Sequence, residues 1–172
     1  MKQTQTNLTV IGIDPGYDRV GWSIGTFGSS YTLQAAGCIQ TQKKESIFTR
    51  YSQISEELEK IVQKYQPSEA AIETLYFSKN TTTALRVSEA RGVIISELLR
   101  KNCTIFEYNP VSIKQAVTGN GAANKTAVEK MVRMQTSLPD STAMIDDAID
   151  AIAVGITHAV KGRMQKLTQR LA

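Results

Sequence analysis

The sequence predicts an α/β protein built on a mixed sheet with helices on its faces. Three strand-like segments follow one another at the start, short apolar strands then alternate with amphipathic helices, and two of the strands end on an acid. The 172 residues suit a single domain, 1–172, long enough to bury a proper core. Residues 1–7 form a polar extension ahead of it.

Leu8 to Asp14 is an apolar run stopped by the turn Asp14-Pro15-Gly16. In the next segment Val20, Trp22 and Ile24 alternate against Gly21 and Ser23, and Tyr31 to Gln40 follows the Gly28-Ser29-Ser30 turn; the three read as an antiparallel meander. From Ser46 to Tyr65, Ile47, Tyr51, Ile54, Leu58, Ile61 and Tyr65 recur in steps of four and three. That spacing predicts a helix with one buried stripe, stopped before Pro67. Ala70 to Glu73 is a short buried strand ending on an acid. A second helix is predicted over Thr81 to Lys101, capped by Asn80 or Thr81, with Ala84, Val87, Ile94, Ile95 and Leu98 on one face and a second seam of Leu85, Gly92 and Leu99. Thr104 to Tyr108 is the fifth strand, after which Asn109 and Pro110 cap and open a helix that ends by Gly119. A glycine loop, Gly119 to Asn124, leads to a helix over Lys125 to Leu138, and a last helix is expected from near Ser141 to about Gly162. The residues beyond, 162–172, read as a frayed basic tail containing Arg163, Lys166 and Arg170.

Composition excludes several function classes. No apolar stretch is long enough to span a bilayer and the start lacks a signal-peptide core, so a cytoplasmic protein with no membrane partner is expected. Cys38 and Cys103 lack CxxC spacing and read as buried thiols, and a lone histidine, His158, rules out a histidine-rich metal site; it reads as a helix-surface or packing residue rather than a catalyst. The net charge of +4 and pI near 9.1 are a mild basic excess. If four of the acids hold cations, the remaining surface is more basic than the total implies, which suits a polyanionic partner.

The acids carry the chemistry. Asp14 and Glu73 stand at strand ends, where a carboxylate is held rigidly at the edge of a core. On the last helix Ile145, Ile149, Ile152 and Ile156 share one face, and Asp147 and Asp150 project together from the other, about 60° apart at 3.6 residues per turn. The same spacing permits Asp146 with Asp150 as an i, i+4 pair, and permits Asp140, Asp146 and Asp147 simply to complement the helix dipole. Asp14 before Pro-Gly is also an ordinary turn former. Taken together, two strand-end acids and a helical pair form an all-oxygen ligand set that suits magnesium or manganese better than zinc. Ions held this way activate water and stabilise the leaving oxygen in phosphodiester hydrolysis.

The order of motifs resembles the RuvC family of Holliday-junction resolvases along nearly the whole chain. The matching residues are Ile11-Gly12-Ile13-Asp14-Pro15-Gly16, Ala71-Ile72-Glu73, Ser78-Lys79-Asn80 and Glu89-Ala90-Arg91-Gly92-Val93. They continue with Tyr108-Asn109-Pro110, Lys114-Gln115-Ala116-Val117, Gly119-Asn120-Gly121 with Lys125, Asp147-Ala148-Ile149-Asp150-Ala151 and Ile156-Thr157-His158. The resemblance implies a ribonuclease H-like fold with a five-stranded mixed sheet. It also implies a catalytic and metal-binding quartet of Asp14, Glu73, Asp147 and Asp150, with Asp146 left as a neighbour, and two magnesium ions per site for which manganese substitutes. It further implies a homodimer acting on four-way junction DNA, with a branch-migration motor complex as a candidate partner. The polar extension and the extra acid Asp146 are the two departures.

By composition alone Lys114 and Lys125 are two solvated lysines bracketing a glycine loop expected to be mobile, with backbone donors that could follow a phosphate chain. The resemblance places both near the scissile strand, and matches Tyr76 to an aromatic position that meets unpaired bases; Phe77 reads as core. The leading function is a metal-dependent, structure-selective endodeoxyribonuclease of recombination and repair. Its rivals are a ribonuclease of the same fold acting on structured RNA, a junction-binding module without catalysis, which would be expected to lose acids, and an ATP-binding domain of the actin and sugar-kinase type. The last would want a second Asp-x-Gly turn, and the sequence has none.

Overall fold

The computed structural model describes residues 8–28, 30–75, 81–138 and 143–171. The chain runs β1 (Leu8–Asp14), β2 (Arg19–Phe27), β3 (Tyr31–Gln40), α1 (Ile47–Tyr65), β4 (Glu69–Glu73), α2 (Thr81–Arg100), β5 (Thr104–Tyr108), α3 (Pro110–Thr118), α4 (Lys125–Thr136) and α5 (Asp146–Leu171). The five strands form one sheet in the order β3-β2-β1-β4-β5. β1, β2 and β3 are the expected antiparallel meander, and β4 and β5 add in parallel to β1.

Side chains alternate across each strand, so the sheet builds two cores. Ile11, Ile13, Ile24 and Ile72 pack against Ile54, Leu58 and Val62 of α1 and Ala90, Ile94 and Leu98 of α2. Val10, Phe27 and Ala71 on the other face meet Ile149, Ile152 and Ile156 of α5, which is itself covered by Ile113 and Val117 of α3 and Val128 and Val132 of α4. Being covered from both sides explains why α5 is buried almost continuously from Ala148 to Ala159 instead of carrying one apolar stripe. Ile145 therefore falls outside the expected face: it precedes the helix and is exposed.

Caps set the helix ends. The side chains of Ser46, Asn109 and Asn124 accept from the third backbone N–H beyond them, and Pro110 occupies the first turn of α3, where its missing N–H costs nothing. Three boundaries differ from the sequence reading. α4 ends at Thr136, where Ser137 adopts a left-handed conformation. α5 begins at Asp146 rather than near Ser141, and its backbone stays helical to Leu171 where a frayed tail was expected. Residue 80, one of the two expected caps of α2, lies outside the described residues.

Burial corrects one further reading and narrows another. Cys103 is buried but Cys38 only partly so, and both are free thiols. His158 sits inside the core, hydrogen-bonded through Nδ1 to the Tyr108 hydroxyl and through Nε2 to Glu69, each at 2.7 Å, which makes it a packing residue and not a surface one.

Candidate active site

β1 is the strand where the sheet changes from antiparallel to parallel pairing, and the carboxyl ends of β1 and β4 lie side by side. The register pairs Ile13 with Ile72, so the next residues, Asp14 and Glu73, are neighbours at the edge of the sheet. Crevices at the carboxyl ends of strands beside such a change are where α/β sheets bind ligands.

The other two acids arrive on α5, and two glycines bring them close. A Cβ on Gly21 would lie 2.5 Å from the carbonyl carbon of Asp147 and closer still to its oxygen. One on Gly12 would lie 2.9 Å from the nitrogen of Gly155 and nearer to the Ala151 carbonyl. Between these two contacts the Ser23 hydroxyl donates to the Ala151 carbonyl at 2.8 Å, so the buried hydroxyl is satisfied while pinning the helix to β2. Hydrogen bonds and close approaches between residues this far apart in the chain leave no local signal, so the sequence does not mark Gly12, Gly21 and Ser23 as residues that seat the helix.

Glu73, Asp150, Lys114 and Lys125 line one cleft of about 200 Å³, floored by Pro110, Ile113, Val128 and Ala153. Asp14, at the end of β1, and Asp147, whose backbone packs on Gly21 of β2, are within electrostatic reach of each other, and Asp14 of Glu73 and Asp150 in the cleft. Burial pushes the Asp14 carboxyl up to about 8, reinforced by the charges of Glu73, Asp150 and Asp147 and opposed by Lys125. Burial likewise pushes Glu73 up to about 7, with Asp150 adding to it and Lys114 working against it. Asp150 is raised by burial too, and Lys125 holds it back. Among the described residues no three His, Cys, Asp or Glu side chains converge closely enough to cage an ion in this structure. The acids surround the cleft and lean on cations instead. Lys125 Nζ lies 3.3 Å from Asp146 and 3.4 Å from Asp150, and Arg19 Nε lies 3.4 Å from Asp147 Oδ2. The donor chemistry fits a hard divalent cation: four carboxylates, two of them held near neutral pH by burial, and in Asp147 Oδ2 a buried oxygen that accepts no hydrogen bond.

Asp146 is therefore more than a silent neighbour, since it shares Lys125 with Asp150. Lys125 itself is raised: burial opposes its charge, and Asp150 and Asp146 outweigh that. The glycine loop departs from expectation. Its backbone donors are already used: Gly119 N–H donates to Gln115 O, Asn120 N–H to Thr118 Oγ1, Gly121 N–H to Gln115 Oε1, Ala122 N–H to Asn120 Oδ1 and Ala123 N–H to Asn120 O. The loop joins the helices that carry Lys114 and Lys125 but has no spare N–H over residues 119–123 with which to cradle a phosphate. Tyr76 and Phe77 lie outside the described residues. Nothing in the sequence marks Arg19, because a single arginine opening a strand carries no pattern.

The five-stranded mixed sheet opened by an antiparallel meander, with acids at two adjoining parallel strand ends and on the helix packed across them, has the architecture of the ribonuclease H-like class. A model of the family described as crossover junction endodeoxyribonuclease RuvC matches residues 10–158. The chain is 42% identical over 158 residues to the crossover junction endodeoxyribonuclease RuvC of Brachyspira hyodysenteriae, covering 91% of this chain and 97% of that one. It is 41% identical over 152 residues to that of Petrotoga mobilis, covering 88% and 93%. The structure of Thermus thermophilus RuvC in complex with Holliday junction substrate superposes with a TM-score of 0.86 at 27% identity, over 92% of this chain and 96% of that one. The chain belongs to the RuvC family of crossover junction endodeoxyribonucleases, which are metal-dependent nucleases.

Proposed function

We propose that this chain resolves four-way DNA junctions by metal-dependent phosphodiester hydrolysis in two opposed strands, with Asp14, Glu73, Asp147 and Asp150 as the metal-holding catalytic quartet. The observation that carries this reading is that Glu73 and Asp150 line one cleft with Asp14 electrostatically coupled to both, Asp14 pushed up to about 8 and Glu73 to about 7, an arrangement that is costly for folding and useful for a cation. Magnesium, two ions per site with manganese as a substitute, would supply Lewis acidity to the phosphate and activate water. The chain's own part is to fix the acids on two strand ends and one helix turn, and to hold the scissile strand with Lys114 and Lys125.

A junction has near two-fold symmetry and needs two cuts, whereas the quartet provides one site per chain, so the working unit is a symmetric homodimer. The seam on α2 supports this: Leu85 and Leu99 are 64% and 55% exposed, and nothing lies within 4 Å of a Cβ built on Gly92. Incubation with a synthetic immobile junction and magnesium tests the reading. Paired nicks yielding two duplexes are expected; cleavage of structured RNA with the junction left whole would replace it with the ribonuclease reading.

A further inference from the structure

We infer that Arg19 is a substrate-contacting residue, its guanidinium engaging a phosphate of the DNA on the β2 side of the cleft, across Asp14 from the two lysines; this rests on the nuclease reading above. Arg19 opens β2 two residues before Gly21 and four before Ser23, so it shares the face that packs on α5 and points at the start of that helix. Its Nε stands 3.4 Å from Asp147 Oδ2, longer than a charge-assisted hydrogen bond, and Asp147 Oδ2 accepts no hydrogen bond. The arginine side chain is 56% exposed while the carboxylate is 19% exposed. It leans on the acid through Nε with more than half of the side chain exposed, a placement suited to bidentate phosphate.

The backbone beneath it is built rather than incidental. Arg50 of α1 is 7% exposed and holds the turn before Arg19 to the end of β3: Nη2 donates to the Tyr17 carbonyl at 2.9 Å and pairs with Asp18, while Nε donates to Thr41 Oγ1 at 2.9 Å. Thr41 returns the contact, its hydroxyl donating to Tyr17 O at 2.8 Å and its N–H to Asp18 O at 3.0 Å. The Arg19 carbonyl fills the space a side chain on Gly16 would need. A buried arginine committed to a surface turn is warranted where that turn aims something, and the turn joins Asp14 to Arg19. Charge placement agrees. Lys114 stands by Glu73 and Lys125 by Asp150, and among the described residues Arg19 is the cation paired with Asp147, so each side of the cleft offers a polyanion one positive group.

The alternative is that Arg19 serves only as the counter-ion of Asp147. Junction binding in chelator across a salt titration separates the two, using the full chain, Arg19→Gln, Asp147→Asn and the double variant. A phosphate contact predicts a several-fold loss of affinity in Arg19→Gln and a log K against log salt slope shallower by about 0.9 per protomer, with the same loss in the Asp147→Asn background. An unchanged slope, or a loss that vanishes once Asp147 is neutral, overturns the inference. Should Arg19→Gln fail to fold, Arg19→Lys decides it: the slope should stay at the wild-type value while affinity drops, and wild-type affinity would refute recognition by the fork. A wild-type chain that neither binds nor cuts the junction in magnesium would instead refute the nuclease reading itself.

Discussion

Substituting Gly21 by alanine tests whether close packing of α5 on β2 is what assembles the site. The added Cβ would lie 2.5 Å from the Asp147 carbonyl carbon and 3.2 Å from its Cβ. Carbon atoms settle at about 3.5 Å and the Asp147 carbonyl oxygen lies nearer still, so the first turn of α5 must retreat by at least about 1 Å. Neither partner can yield by rotating a side chain, because both obstacles are backbone or are attached directly to it. Overpacking of this kind costs about 1–3 kcal/mol. For a chain of this length each kcal/mol lowers Tm by roughly 2–4 °C, so a fall of about 2–12 °C is expected. Activity should suffer more than stability, since a 1 Å misplacement at a reacting centre costs on the order of 100-fold in rate. The assay is single-turnover cleavage of an immobile junction in magnesium beside a thermal melt, with junction binding as a check that the fold persists. A Gly21→Ala chain that cuts within twofold of wild type would refute the claim that this contact places Asp147.

Three other outcomes follow from the geometry. Asp14 and Glu73 have native pKa values above their unfolded ones, so between about pH 4 and 8 the native state holds protons that the unfolded state has released. Metal-free stability should therefore fall as pH rises through that window, by at most about 1.4 kcal/mol per pH unit for each carboxyl, and Asp14→Asn should flatten the slope; urea melts at pH 5 and pH 8 that show equal stability would contradict this. Lys114→Ala and Lys125→Ala should each slow cleavage and reduce its salt sensitivity while weakening binding only partly, and rates equal to wild type across a salt titration would return both to ordinary surface lysines. Leu85→Glu should shift a micromolar dimer toward monomer in sedimentation and uncouple the two nicks; a wild-type chain that remains monomeric on a junction yet makes paired cuts would overturn the dimer.

What the sequence made legible was local. Asp14 and Glu73 stood out because a turn or a polar residue stops an apolar strand at an acid, and Asn109-Pro110 marked a helix start by capping chemistry alone. The separation of Asp147 and Asp150 followed from helix geometry, but choosing that pair over Asp146 with Asp150 needed the family resemblance. Features made by contacts distant in sequence stayed hidden. Ser23 reaches Ala151 across the whole domain, Gly12 and Gly21 matter for what packs on them, and Arg50 looks like an ordinary polar residue on a helix until its turn-holding bonds are seen. The glycine loop misled for the same reason: its composition suggests open backbone donors, and only the fold brings Gln115 and Thr118 round to take them.

Replacing the acids one at a time reaches the central claim most directly. Asp14→Asn, Glu73→Gln, Asp147→Asn and Asp150→Asn should each abolish magnesium-dependent junction cleavage, while junction affinity stays unchanged or rises slightly because negative charge beside DNA has been removed. Asp146→Asn, which loses only a share of Lys125, should remain active. Substantial cleavage by Asp150→Asn, or a dead Asp146→Asn beside an active Asp147→Asn, would contradict the account.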